Sequence, residues 1–265
     1  MKIAIIGVGN LGYSIAVGIL NHKKEIGLKS LYLTKRNTQS LEHLSKVSAV
    51  KTTSNNKRAV KYSDVVILAV QPAQLKPVLE EIQPELDASR HLLISVATGR
   101  KISEIEAVVG DDIPVLRCMP NTAISVGQSM TCISSNEKGK DRAHQAKSIF
   151  NSLGQTMCIE ENLMQAATVV CASGIAFWMR LIRATTQGAV QLGFHSEEAQ
   201  QLSMQTCLGA ASLLIDSGNH PEEEIDKVTT PSGCTIEGLN EMEHQGLSSS
   251  IIKGLVTSYE KINQI

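Results

Sequence analysis

The sequence predicts an α/β domain followed by an all-helical one. Three observations carry this. Short continuous apolar runs alternate with helix-like stretches up to Glu160, and the strand signals then stop. A glycine-rich turn, Gly7-x-Gly9-x-x-Gly12, separates the first apolar run from the first helix-like stretch. Continuous apolar strands separated by helices imply a parallel sheet covered on both faces.

In chain order, "KIAII" and "SLYLT" are strand-like, "DVVILAV" and "HLLISV" are continuous apolar runs, and "IPVLRCM" closes the series. Helix-like stretches fall at 12–21, 38–46 and 74–82. "MTCIS" and "TMCIE" are two further strands around a helix at 138–152. Beyond Glu160, helical periodicity fills 166–191, 196–216 and 247–262. Pro221, followed by Glu222, Glu223 and Glu224, suits a first helical turn. His195 and His220 each stand at a helix start, where capping is the expected role. The domains are therefore 1–160 and 161–265. One stretch of the helical half stands out: "TTPSGCTIEG" (229–238) places Pro231, Ser232 and Gly233 before a helix that restarts at Thr235. A plain turn needs less.

The G-x-G-x-x-G pattern is weak alone, but here it follows a strand and opens a helix. Gly7 permits the tight turn, Gly9 lets the backbone approach a pyrophosphate, and Gly12 allows close helix–strand packing. Asn10 and Leu11 lie in the same turn, where helix N–H groups face the anion. This identifies a Rossmann-type nucleotide-binding domain. The second strand ends in Thr34, Lys35, Arg36 and Asn37. An acid at this point would hold an NAD ribose. Two cations and two small hydrogen-bonding side chains suit a 2′-phosphate instead, so NADPH is the expected cofactor, with NADH as a lesser alternative.

Composition excludes other classes. Among 265 residues the net charge is −1, aromatic content is 3% and no basic run appears, which argues against nucleic acid. The apolar segments read as short and broken, so no membrane span is expected. "MKIAIIGVG" already reads as a strand, so no signal peptide is expected. Six cysteines form no CxxC pair; they read as buried thiols of a cytoplasmic protein, with no metal site.

The inventory also limits the chemistry. Tyrosine occurs only at Tyr13, Tyr32, Tyr62 and Tyr259, so there is no Tyr-x-x-x-Lys pair, and no lysine lies between Lys147 and Lys227. Without a strong general acid the reaction should need little help with a proton. An imine meets that condition, because it is protonated far more readily than a ketone.

At this point the residues resemble a known family, pyrroline-5-carboxylate reductase, over nearly the whole chain. "GVGNLGYSI", "VILAVQP", "ISVATG", "LRCMPNTAISVGQSMT", "MQTCLGAASLL" and "VTTPSGCTIEGLNEME" are similar, in order, to its motifs. The resemblance implies reduction of 1-pyrroline-5-carboxylate to proline by NAD(P)H. It also implies a helical dimerisation domain, two copies of which interlock so that a site takes elements from both chains. The stretches 166–191 and 196–216, apolar over much of their circumference and more than one core face requires, point the same way. In such a homodimer, or larger homo-oligomer, the N–H groups of Ser232, Gly233 and Cys234 would hold the substrate carboxylate. Thr235 would turn its hydroxyl to the ring nitrogen; the alternative for Thr235 is a plain N-cap. Met119, Pro120 and Asn121 would lie beside the nicotinamide, with Asn121 bonding the carboxamide or nearby backbone. Val70, Gln71 and Pro72 would line the cofactor crevice, with Ala97 and Gly99 nearby.

The chain departs from the family pattern in four places. Cys171-Ala172-Ser173-Gly174-Ile175-Ala176-Phe177 replaces Ser-Gly-Ser-Gly-Pro-Ala-Tyr, and Arg183 replaces an acid. Ser232 replaces a glycine, and Ala123 a proline. Two alternatives therefore stand beside the first expectation. One is an NADP-dependent reductase of another cyclic imino acid. The other is a reductase-like nucleotide-binding protein with little turnover.

Overall fold

The computed structural model describes residues 1–264. The chain divides into two compact units, Met1–Ala172 with the stretch from Lys261 onward, and Ser173–Glu260. In the first unit the strands are β1 (Lys2–Ile6), β2 (Ser30–Thr34), β3 (Val50–Thr53), β4 (Val65–Leu68), β5 (Leu92–Ser95), β6 (Val115–Met119), β7 (Ser129–Ser135) and β8 (Gly154–Cys158). The helices along the chain are α1 (Asn10–Asn21), α2 (Glu42–Ser45), α3 (Asn56–Lys61), α4 (Pro72–Ile82), α5 (Ile102–Val109), α6 (Ala143–Asn151) and α7 (Met164–Ala167). They continue with α8 (Gly174–Gln191), α9 (Ser196–Ser217), α10 (Pro221–Val228), α11 (Cys234–His244) and α12 (Leu247–Ile262).

The eight strands form one sheet in the order β3-β2-β1-β4-β5-β6-β7-β8. Period-2 alternation serves both faces. Ile3, Ile5, Val65, Ile67, Leu92 and Ile94 meet Ile15 and Ile19 of α1 and Ile149 and Phe150 of α6 on one side. Val66, Leu68 and Leu93 meet Leu75 and Leu79 of α4 and Ile102 and Ile105 of α5 on the other. The order reverses between β1 and β4, which opens a crevice at the carboxyl ends of the strands, where ligands of such sheets bind.

The sequence predicts a parallel sheet, but one pair departs from it: β7 runs antiparallel to β6. Only a 3-10 turn, Thr122–Val126, joins them, and an antiparallel pair needs no crossover helix. β3 went unpredicted because "VKTT" offers one buried residue, Val50, on an edge strand. The first unit also extends past the boundary expected at Glu160. Met164, Ala167, Cys171 and Ala172 pack on Met119 and Cys132. The Arg117 guanidinium, 1% exposed, reaches Glu161 at 3.3 Å and Gln165 at 3.3 Å.

In the second unit α8 and α9 pack together. Both histidines serve as N-caps, as expected: the His195 N–H donates to Glu198, and His220 Nδ1 accepts from the Glu222 N–H. Trp178, Met179, Leu208, Leu213 and Ile215 are exposed on α8 and α9. Arg183 is exposed too, so the reversed charge is not buried in the single chain. Two expectations need correction. The helical run Glu161–Gln191, 31 residues, is long and apolar enough to cross a membrane by length and composition, so the apolar segments are not all short. Cys158 and Cys234 are exposed, not buried; all six thiols are free.

Candidate active site

The glycine-rich turn is held by the second strand. The Gly7 N–H donates to the Thr34 main-chain oxygen (3.2 Å) and to Thr34 Oγ1 (3.3 Å), and the Val8 N–H to the same main-chain oxygen (2.9 Å). Gly7 has φ +88, and a Cβ there would lie 2.5 Å from Val70 Cγ1. A Cβ on Gly12 would lie 2.8 Å from the Gly7 oxygen. The turn and its packing therefore require both glycines. Gly9 differs: a Cβ there would meet no protein atom within 4 Å. No protein contact requires glycine there, which leaves the space beside it open. The first bond of α1 runs from the Tyr13 N–H to the Gly9 oxygen, and no side chain caps the helix. The N–H groups of Asn10, Leu11 and Gly12 thus lie ahead of the bonded ladder, an anion-binding arrangement that fits a dinucleotide pyrophosphate.

A cavity of about 1000 Å³ runs from this turn. Gly7, Gly9, Thr34, Lys35, Arg36, Asn37, Val70 and Gln71 line it, all singled out from sequence. Within it the side chains are not equivalent. Thr34 is buried, with its hydroxyl engaged by Gly7. Lys35 Nζ donates to Ser40 Oγ (3.0 Å), and Asn37 Oδ1 accepts from the Gln39 N–H (3.0 Å). Arg36 is exposed and has no hydrogen bond or ion pair among the described residues. Sequence reasoning missed Ser54, Asn56 and Glu81, which line the same cavity. Asn56 Nδ2 donates to Glu81 Oε2 at 2.8 Å, so a carboxylate does enter the crevice, from α4. No local motif announces it, since Glu81 lies far along the chain from the strand whose end it approaches.

The remaining residues lie outside that lining. Pro72 opens α4 and lines a neighbouring cavity of about 790 Å³ with Arg100 and Glu104. Ala97 is buried beyond the end of β5 and donates to Ser95 Oγ at 3.3 Å. Met119 is buried at the end of β6. Asn121 follows it with its amide engaged internally: Nδ2 donates to the Cys171 oxygen (2.9 Å), and Oδ1 accepts from the Ala123 N–H (2.9 Å).

In the second unit, "TTPSGCT" forms a compact loop before α11. Ser232 is the one non-glycine residue with positive φ, +57, among the described residues. Gly233 is the N-cap of α11, without a side-chain cap. Its own N–H donates to the Thr230 oxygen at 2.9 Å. Of the three N–H groups expected to hold a carboxylate, Gly233's is therefore already committed within the loop. Those of Ser232 and Cys234 remain, with that of Thr235 behind them. The helix begins at Cys234, one residue earlier than expected, so Thr235 lies inside the first turn and is not the N-cap. Thr235 is half-buried, and its hydroxyl has no hydrogen-bond partner among the described residues.

Comparison with known proteins gives likenesses along the whole chain. Residues 161–265 match the family model "Pyrroline-5-carboxylate reductase dimerisation", and residues 2–99 match "NADP oxidoreductase coenzyme F420-dependent". The chain is 45% identical to pyrroline-5-carboxylate reductase 1 of Dictyostelium discoideum over 98% of its own length, but spans only 49% of that protein. With pyrroline-5-carboxylate reductase 2 of the same organism it shares 41% identity, covering 98% of the chain and 91% of the relative. Among solved structures, the NADP-bound pyrroline carboxylate reductase of Plasmodium falciparum superposes with a TM-score of 0.87 at 25% identity, over 100% of this chain and 97% of that one.

Proposed function

The chain belongs to the pyrroline-5-carboxylate reductase family, and from that premise we propose that it reduces the C=N bond of 1-pyrroline-5-carboxylate to give proline. NADPH, when bound, supplies the hydride. Residues 1–160 serve the nucleotide: Asn10, Leu11 and Gly12 offer N–H groups to the pyrophosphate, and Arg36, with Lys35 and Asn37, meets the 2′-phosphate. Gln71, Ala97, Met119 and Asn121 belong to the nicotinamide side, with Asn121 acting through the backbone it organises.

Residues 161–265 serve dimerisation and substrate binding. The N–H groups of Ser232 and Cys234 hold the substrate carboxylate at the uncapped start of α11. An iminium N–H donates to the Thr235 hydroxyl oxygen, which favours the protonated, electrophilic form of the ring. The proton comes from water, so no acidic side chain is needed. The chain's contribution is positioning, which can supply roughly 7–11 kcal/mol of barrier reduction. The exposed apolar residues of α8 and α9 pair with a second copy in a homodimer or larger homo-oligomer. Six free thiols suit a reducing cytoplasm.

One observation carries the reading: the uncapped start of α1 stands beside a crevice ending in Arg36, and the uncapped start of α11 stands behind Pro231-Ser232-Gly233. The test is NADPH oxidation with 1-pyrroline-5-carboxylate, with proline measured as product. Protein that binds NADPH but makes no proline would overturn the reading. A six-membered homologue turned over faster than the five-membered ring would shift it to another cyclic imino acid.

A further inference from the structure

Two thiols that the proposed reduction does not use belong to one packed cluster at the end of β6 in the first unit. Cys132 sits on β7, in register with Met119 of β6. Cys171 sits on the π-helical turn Thr168–Ser173 that precedes α8. Both belong to one packed cluster with Met119 and Met164. Their surroundings differ: Cys132 is buried, while Cys171 is half-buried. The main-chain oxygen of Cys171 is also the acceptor for Asn121 Nδ2.

We propose that Cys132 and Cys171 form a reversible disulfide when the protein meets a hydroperoxide, and that this bridge slows NADPH-dependent turnover by displacing the turn that holds Asn121.

The asymmetry of the pair sets the order of events. The interaction with Cys132 lowers the Cys171 thiol to about 7, against the opposing effect of burial, and raises that of Cys132. Cys171 is then the thiolate and the more accessible of the two. Its sulfur attacks one peroxide oxygen; the O–O bond breaks, a sulfenic acid forms, and the departing alkoxide or hydroxide takes up the proton the thiol released, giving alcohol or water. Cys132 then attacks the Cys171 sulfur. The S–S bond forms, the S–OH bond breaks, and the departing hydroxide takes the Cys132 proton as a second water. The balance is two thiols and one hydroperoxide to one disulfide, one alcohol or water from the peroxide, and one further water. A dithiol reverses it.

A disulfide sulfur pair is about 2.05 Å apart, closer than any non-bonded contact, so the turn must move inward to close the bridge. That motion pulls directly on the Cys171 oxygen and hence on Asn121. Cys118 and Cys158 supply the contrast. Each neighbours Ile133 on β7 from opposite sides, so a full strand separates them. Strands lie about 4.8 Å apart, which puts the two Cα atoms beyond the roughly 7 Å limit for a bridge.

The test treats the whole protein with stoichiometric hydrogen peroxide and maps tryptic peptides without reduction. Cys118 and Cys132 share the peptide 118–138, and Cys158 and Cys171 share 148–180, so fragment spectra must place the link. The expected result is a Cys132–Cys171 link, NADPH oxidation slowed at least threefold, and recovery with dithiothreitol. Cys171→Ser, the side chain usual in the resembling family, should keep basal activity and lose both effects. Three results would overturn the proposal: oxidation of Cys171 to sulfinic acid with Cys132 still free, a link with unchanged turnover, or equal peroxide sensitivity in Cys171→Ser. The crosslink is read from mass alone, so it stands or falls apart from the substrate assignment.

Discussion

Asn121 Nδ2 donates to the main-chain oxygen of Cys171 at 2.9 Å, tying the turn after β6 to the π-helical turn before α8. Asn121 Oδ1 meanwhile caps the short turn that begins at Thr122. Asn121→Ala removes both bonds at once. The expected loss is about 1–3 kcal/mol of stability, the range for a cap together with a part-buried polar group left unpaired. Urea unfolding checks the stability, and a raised KM for NADPH checks the link to the cofactor. Unchanged values of both would show that the amide organises nothing.

Arg36 is the exposed cation of the crevice with no partner of its own, whereas Lys35 and Asn37 are tied to Ser40 and Gln39. Arg36→Ala should therefore weaken NADPH about 10- to 100-fold, the worth of one charge-assisted bond, while NADH binding barely changes. Titration with each dinucleotide reads this directly. Equal weakening of both would remove the 2′-phosphate assignment.

Much of this was legible because the determining signals are local. Gly7 and Gly12 announce a turn, continuous apolar runs announce buried strands, and Pro221 with its acids announces a helix start. What was missed depends on tertiary placement. β3 has too few apolar residues to register, and the antiparallel turn of β7 follows from the short connection at Thr122–Val126. Glu81 reaches the crevice only because α4 packs beside the strand ends. The sequence also assigned Gly233 to substrate access, while the loop itself demands it. A Cβ there would collide with Thr230 Oγ1 and lie 3.0 Å from the Thr230 oxygen.

Ser232 occupies the left-handed region at φ +57, where the resembling family carries glycine. That conformation costs a non-glycine residue about 1–2 kcal/mol. Ser232→Gly should accordingly raise stability, by somewhat less than that because the unfolded chain gains freedom. Ser232→Ala should not. The neighbouring Gly233→Ala should destabilise the loop, and Thr230→Ala should restore part of the loss by removing the hydroxyl in its way. Thermal unfolding of the four variants decides the matter; a stabilising Ser232→Ala would contradict it.

His91 is buried, with Nδ1 accepting from the Asp87 N–H at 2.9 Å and Nε2 facing the Val60 oxygen at 3.3 Å. This arrangement fits the neutral ring. Burial pushes its pKa below the ordinary value, the Val60 oxygen opposes the shift, Arg90 reinforces it, and Asp87 and Asp64 oppose it. The unfolded chain therefore binds the proton more readily. Stability from this group is whole above the unfolded value of about 6.5 and declines as pH falls from there towards the folded one. Unfolding midpoints should drop between about pH 7.5 and pH 5.5, and the drop should be smaller in His91→Gln. An identical slope in the variant would assign the acid sensitivity elsewhere.

Thr235 carries the sharpest test of the substrate loop. It lies in the first turn of α11 behind the N-cap Gly233, so its hydroxyl is not needed to cap the helix. A capping threonine replaced by alanine would cost about 1 kcal/mol of stability with kinetics intact. A threonine bonded to the ring nitrogen predicts the reverse. Thr235→Ala should lower kcat/KM by about ten- to a few-hundred-fold, one hydrogen bond to a charged group, with little change in unfolding midpoint. NADPH affinity should hold, because Thr235 lies in Ser173–Glu260 while the crevice residues all lie in Met1–Ala172. Thr235→Ser, which keeps the hydroxyl, should recover most of the rate. If Thr235→Ala melts early but turns over normally, or if serine rescues nothing, the hydroxyl does not meet the reacting nitrogen.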